Sequence, residues 1–194
     1  MALSYFDTQL GREDCVVISG QDANRGLLKG GFVGYSRVEL FGEEINAILP
    51  LSSNGPWQVD ALAGARFLQM RDRFHETATN LEMPAGQNLT GIVDNFRYHN
   101  AFYGGQLGLR AERHWNRLYF QTRGAIALGG DAQTAKIWGQ SIYQTPTSKT
   151  VLPTGLYVQR SNTGTFTHCN FDAVGEVALN VGYEFTHWLK GYMG

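Results

Sequence analysis

Cysteine and proline are scarce in this chain of 194 residues, and long apolar runs are missing altogether. The 2 cysteines, Cys15 and Cys169, lie far apart and fit no CxxC or metal-ligand spacing. A disulfide scaffold and a thiolate zinc site are therefore not expected, and the two thiols read as incidental. Only 5 prolines accompany 24 glycines, 11 Phe, 9 Tyr and 4 Trp, a composition of many short strands and turns rather than of disorder. No apolar run approaches the roughly 18 residues of a membrane helix. That excludes a helical membrane protein but not a membrane β-protein, whose strands cross with about 9–11 residues, half of them polar.

Charge of one sign is missing too. Lys and Arg number 16 against 17 Asp and Glu, for a net charge of −1. Nothing favours nucleic acid as a partner. The opening MALSYFDTQLGREDC has no basic start, and Asp7 and Arg12 interrupt any apolar core, so it does not read as a signal peptide. Either the protein is not exported, or its true start lies outside this sequence.

Catalytic signatures are equally thin. There is no GxSxG, P-loop or EF-hand pattern. The five histidines, at 75, 99, 114, 168 and 187, form no HxH, HExxH or His/Cys cluster. Gly104-Gly105-x-x-Gly108 falls within a strand pattern and reads as room for close packing, not as a nucleotide loop. His168 with Ser161 and Thr167 lacks a positioned acid. No metal, no cofactor and no enzymatic activity are expected.

What is present is alternation with a period of two. Trp57, Val59, Ala61, Ala63, Ala65 and Phe67 share one face, opposite Gln58, Asp60, Leu62, Gly64, Arg66 and Leu68. Leu107, Leu109 and Ala111 oppose Gln106, Gly108, Arg110 and Glu112. Leu118, Phe120, Thr122, Gly124, Ile126 and Leu128 oppose Tyr119, Gln121, Arg123, Ala125 and Ala127. Between 171 and 185, Phe171, Val177, Leu179, Val181, Tyr183 and Phe185 lie on an uncharged face, opposite Asp172, Glu176, Asn180 and Glu184. A weaker segment spans 32–49 and includes Arg37, Glu39, Glu43 and Glu44, and residues 189–194 begin a further strand.

Connections alternate in length. Short turns fall at 52–56, 114–116 and 186–188; long segments at about 70–98 and 131–167 contain Pro84, Gly86, Pro146, Pro153, Gly155 and Gly164. In a meander this sorts the short turns to one end and the long loops to the other, the plan of an outer-membrane barrel. Trp57, Trp115 and Trp188 each sit at a short turn, where with Tyr183 they would form an interfacial aromatic girdle. Phe96, Tyr98, Phe102 and Tyr103 are the candidate second belt.

The expected fold is an all-β, antiparallel up-and-down barrel of outer-membrane type, incomplete in strand number, over residues 31–194. Residues 1–30 form an unplaced segment in which 3–10 and 14–19 could add a hairpin. Arg66, Gln106, Arg110, Glu112, Arg123, Glu176, Asn180 and Glu184 would line the lumen, with Asp60 beside them, either as a pore lining or as an internal ion-pair network. The same alternation also fits a soluble lipocalin-like barrel that binds an apolar ligand. The two readings demand opposite orientations of Leu107, Leu109, Val177, Leu179 and Val181.

Several runs together resemble a known family. VDALAGARFLQMRD (59–72), FRYHNAFYGGQLGLRAE (96–112), Gly124 to Gly129 with Ile137-Trp138-Gly139, GLYVQRSNTG (155–164) and FDAVGEVALNVGYEFTHWL (171–189) are similar to the seventh class of β-barrel porins of bacterial outer membranes. The resemblance covers about residues 57–189. Gly175 stands where the family carries Pro, and the family continues through a closing strand beyond Gly194. The resemblance implies an outer-membrane location, lipid as neighbour and small solutes as cargo.

Overall fold

The computed structural model describes every residue except 8–10, 54, 84–87 and 187. The described residues form ten strands in chain order: β1 Ala2–Asp7, β2 Arg12–Val17, β3 Gly20–Asp22, β4 Gly26–Ser52, β5 Trp57–Met83, β6 Leu89–Trp115, β7 Leu118–Gln144, β8 Lys149–Leu152, β9 Gly164–Glu184 and β10 Lys190–Met193. β1 and β2 pair antiparallel from Ala2↔Val17 to Asp7↔Arg12. The other eight form one sheet in the order β10-β9-β7-β6-β5-β4-β3, with β8 paired to β7. The meander expected from the alternation is therefore present, as an open sheet.

Strand length departs from expectation. Most of 70–98, and 131–144, are strand rather than loop. The alternation in these segments is written in polar residues, such as Asp72, Glu76 and Asn80, so its period is easy to miss. Of the breakers, Pro146 falls between β7 and β8, Pro153 and Gly155 between β8 and β9, and Gly164 opens β9, while Pro84 and Gly86 lie outside the described residues.

At the other end the connections are tight. Asn116 and Arg117 alone join β6 to β7, and Asn116 adopts φ 55°, the positive value that two-residue hairpins require and Asn tolerates. His187 lies outside the described residues.

The chain divides into two compact units. The first comprises Met1–Glu39, Met70–His99 and Thr134–Thr167, and the second Leu40–Gln69, Asn100–Gln133 and His168–Gly194. In the first unit, Ile18, Ala78 and Ile92 form a buried apolar cluster, covered by Leu3, Val16, Phe32 and Leu156. The hairpin β1–β2 thus lies over the even-numbered face of β5 and β6. Asn80 donates from Nδ2 to the Val17 carbonyl at 3.1 Å, which fixes the hairpin's exit.

The segment after β8 is held to the same face by one carboxylate. Asp94, 1% exposed, accepts the backbone N–H groups of Leu156 (2.9 Å), Tyr157 (3.0 Å) and Val158 (3.1 Å). Ser141 Oγ donates to the Thr154 carbonyl at 2.7 Å, and Val158 is fully buried. Burial and the charge of Asp94 push the nearby Glu76 carboxyl above its ordinary range. Replacing Asp94 by Ala leaves three N–H groups without their acceptor, one of them fully buried, a loss of about 2–3 kcal/mol. Tryptic cleavage after Arg160 is then expected to accelerate at least about tenfold over wild type. An unchanged cleavage rate would mean that the carboxylate does not hold this segment.

Candidate functional site

In the second unit the alternation separates two chemistries. Leu107, Ile126, Val177 and Leu179 are 58–79% exposed on one face, whereas Asp60, Arg66 and Gln106 on the other are 1%, 7% and 3% exposed. Charges are sheltered and large apolar groups are bare.

The sheltered charges meet around Glu44 of β4. Arg66 (β5) donates from Nη2 to Glu44 Oε2 at 2.8 Å and also to Glu176 of β9. Gln106 (β6) donates to Glu44 at 3.0 Å and to Asn46. Arg123 (β7) bridges to Glu44 through both terminal nitrogens, with Glu176 at 3.9 Å. On a flat sheet β4 and β7 are three strand spacings apart, roughly 14 Å. Contacts between their side chains require the sheet in this unit to curl, with the charged face concave. Two arginines and two glutamates then neutralise one another within a crowded interior.

Two smaller groups extend the polar face. Arg110 holds Asp60 through Nη2 at 2.7 Å and Nε at 3.0 Å. Glu112 accepts from Gln121 at 2.8 Å and pairs with His114, while Asn180 donates to Gln121 at 3.2 Å. Glu184 lies 3.8 Å from His114 Nδ1. All eight polar residues singled out by pattern thus fall on one face, in three local groups. Glu44 and Asn46 are additions: they sit on β4, whose apolar and polar residues do not alternate cleanly. One signal was available, since adjacent Glu43 and Glu44 on a strand must place one carboxylate on each face.

Small residues make room for this packing. Tyr119, 7% exposed, lies across Gly182, where a Cβ would come within 2.1 Å of its ring.

The aromatic positions require one correction. Trp57 and Trp115 flank the Arg113 guanidinium at 5.1 and 4.4 Å, and Tyr183 packs edge-on against Phe185 at 5.0 Å. Trp188 is 73% exposed. The second belt, however, is not the expected set. Phe102 is only 5% exposed on the charged face, and Phe96 pairs with Phe74 in the first unit. Alternation decides this: adjacent Phe102 and Tyr103 cannot share a side. Tyr103 instead contacts Phe67 at 4.8 Å, and Phe67 contacts Phe41 at 6.3 Å, on the bare apolar face.

A family model described as "Putative beta barrel porin-7 (BBP7)" matches residues 1–194. The chain belongs to this family. The match takes in residues 1–30, which the resemblance read from the sequence left unplaced. No curated protein matches the chain. For this porin-7 member, the charged concave face and the bare apolar face are the features any function must use.

Two substitutions test the packing. Gly182→Ala is expected to cost about 1–3 kcal/mol by overpacking against Tyr119. Arg66→Met leaves the partly exposed Glu44 and Glu176 with one arginine between them and is expected to cost about 1–3 kcal/mol. Urea unfolding followed by tryptophan fluorescence reads both, and losses under about 0.5 kcal/mol would disprove tight packing at these positions.

Proposed function

We propose that this chain forms the wall of a bacterial outer-membrane β-barrel of porin type, which passes small solutes passively where its interior is open. One observation carries the reading: large apolar side chains are bare on one face while arginine and aspartate are buried on the other. A water-soluble barrel inverts that arrangement, and a lipid-facing wall requires it. The soluble, ligand-binding alternative needs Leu107, Leu109, Val177, Leu179 and Val181 pointing inward, and all five are more than half exposed.

The girdle spacing supports the same reading. From Trp57 to Phe67, at about 3.3 Å per residue and the ~35–45° tilt of outer-membrane strands, the wall rises roughly 25 Å. That is the height of the apolar band in such barrels. Arg66, Gln106, Arg110, Glu112, Arg123, Glu176, Asn180 and Glu184 would face the lumen, where their mutual pairing favours a filled, structural interior over a wide charged pore.

Spin labels placed along β9, in protein refolded into phosphatidylcholine vesicles, test the orientation. Labels at 177, 179 and 181 are expected to see dissolved oxygen and not a water-soluble relaxant, with 176, 178 and 180 reversed or shielded from both. Apolar positions shielded from both reagents in a protein that stays out of lipid would sink the membrane reading. Conductance is a separate matter. Deleting residues 1–19 removes the hairpin over β5 and β6 and is expected to raise single-channel conductance in planar bilayers. No conductance in either form would mean a structural barrel rather than a porin.

A further inference from the structure

The first unit carries a row of cations with almost no counter-charge. Backbone bonds from His114 N to the Pro56 carbonyl and from Glu82 N to the Asn88 carbonyl bracket the β5–β6 pairing, and they place Arg73 opposite Arg97 and Arg71 opposite His99. Gly108 against Ala125 and Gly91 against Ile142 bracket β6–β7, which places Lys136 opposite Arg97. Gly64 against Asn46 and Gly30 against Asn80 do the same for β4–β5 and place Arg37 opposite Arg73. Arg37, Arg73, Arg97 and Lys136 therefore stand side by side on four adjacent strands, all exposed.

Like charges directly opposite on a sheet destabilise it. The usual remedy, an interleaved carboxylate, is nearly missing. Glu39 pairs with Arg37, whereas Arg71, Arg73, Arg97 and Lys136 have no ion pair among the described residues. These last four, with His99 and Thr134, line a shallow cavity of about 380 Å³. His99 adds a buried Nε2 that has no hydrogen-bond partner among the described residues. The fold gains nothing from such a row, since threonine or glutamine would occupy the same positions without repulsion.

A phosphate group would reverse the balance. Arginine forks grip phosphate oxygens bidentately, and one dianion can be shared among several guanidinium groups. The strand faces indicate the source of the phosphate. By alternation, Val33 and Tyr35 lie on the same side of β4 as Arg37, and Trp138 lies on the same side of β7 as Lys136, all three with their side chains bare. Charge beside bare apolar groups on one face suits a lipid, whose headgroup and the start of its acyl chains meet that face together.

We propose that Arg71, Arg73, Arg97 and Lys136 form a binding site for a membrane lipid with a phosphorylated headgroup. The proposal rests on the membrane reading above. Protein purified in dodecyl maltoside would be mixed with diphosphoryl lipid A, with the same lipid after phosphatase treatment, or with inorganic phosphate, and adducts would be counted by native mass spectrometry. Wild type is expected to keep one diphosphoryl lipid at about tenfold lower concentration than the dephosphorylated form. The variant Arg73→Gln/Arg97→Gln/Lys136→Gln is expected to lose that preference. Removing repulsion should not harm folding, and Arg97→Gln alone, with a smaller loss, serves if the triple variant misfolds.

Equal retention of both lipids, or a variant indistinguishable from wild type, would overturn the proposal. Competition by inorganic phosphate at the same concentration as the lipid would make the ligand a soluble anion and overturn the lipid assignment. Flotation with phosphatidylcholine vesicles separates the two readings. If wild type and variant both float but show no phosphate preference, only the lipid site falls; if neither floats, the membrane reading falls and takes the site with it.

Discussion

A β-strand has two sides, and everything in this protein depends on keeping them chemically apart. Each residue commits its neighbours: placing Arg66 inside fixes Phe67 outside, and placing Gln106 inside fixes Leu107 outside. The two-residue turn at Asn116–Arg117 carries the commitment from β6 to β7 without a slip, so Ala125 and Ala127 return to the sheltered side. A one-residue shift in any pairing would drive Arg66 or Asp60 out and leucines in. The ion pairs at Glu44 exist because the register is kept on five strands at once.

The two units use their sheltered faces differently. In the second, the face is filled by charges that neutralise one another. In the first, apolar residues of β5 and β6 are covered by the hairpin β1–β2, and one carboxylate, Asp94, gathers three backbone N–H groups. Both solutions supply partners to polar groups on a sheltered face, charged side chains in one and backbone N–H groups in the other. They differ in chemistry: a lattice of arginine and glutamate in one unit, an apolar cap in the other.

The meander and the two faces of each clean strand were legible in the sequence, because Leu, Val and Ile recur at every second position; which face is sheltered was not, because the same alternation fits a lipid-facing and a soluble barrel alike. Strand length was not, because alternation from 70 to 83 is between polar residues of different size, which a hydrophobic pattern does not register. Glu44 was hidden for a related reason: β4 is exposed along most of its length, so burial never shaped its pattern. The misplaced second belt shows the opposite hazard. Phe96, Tyr98, Phe102 and Tyr103 are close in sequence, yet parity divides them, and Phe41 and Phe67 come from strands far away in the chain.

On the membrane reading proposed above, the pairing of Arg113 with two indoles also bears on which bilayer suits the wall. A guanidinium between Trp57 and Trp115 can neither sink into hydrocarbon nor leave the headgroup layer without losing both rings, so one rim is pinned. The other rim is set by Phe41, Phe67 and Tyr103, which carry a single hydroxyl among them. With one edge fixed and the other softer, a thicker or thinner bilayer must stretch or compress around the wall. Hydrophobic mismatch then becomes a sorting rule, favouring a thin membrane over a thick one.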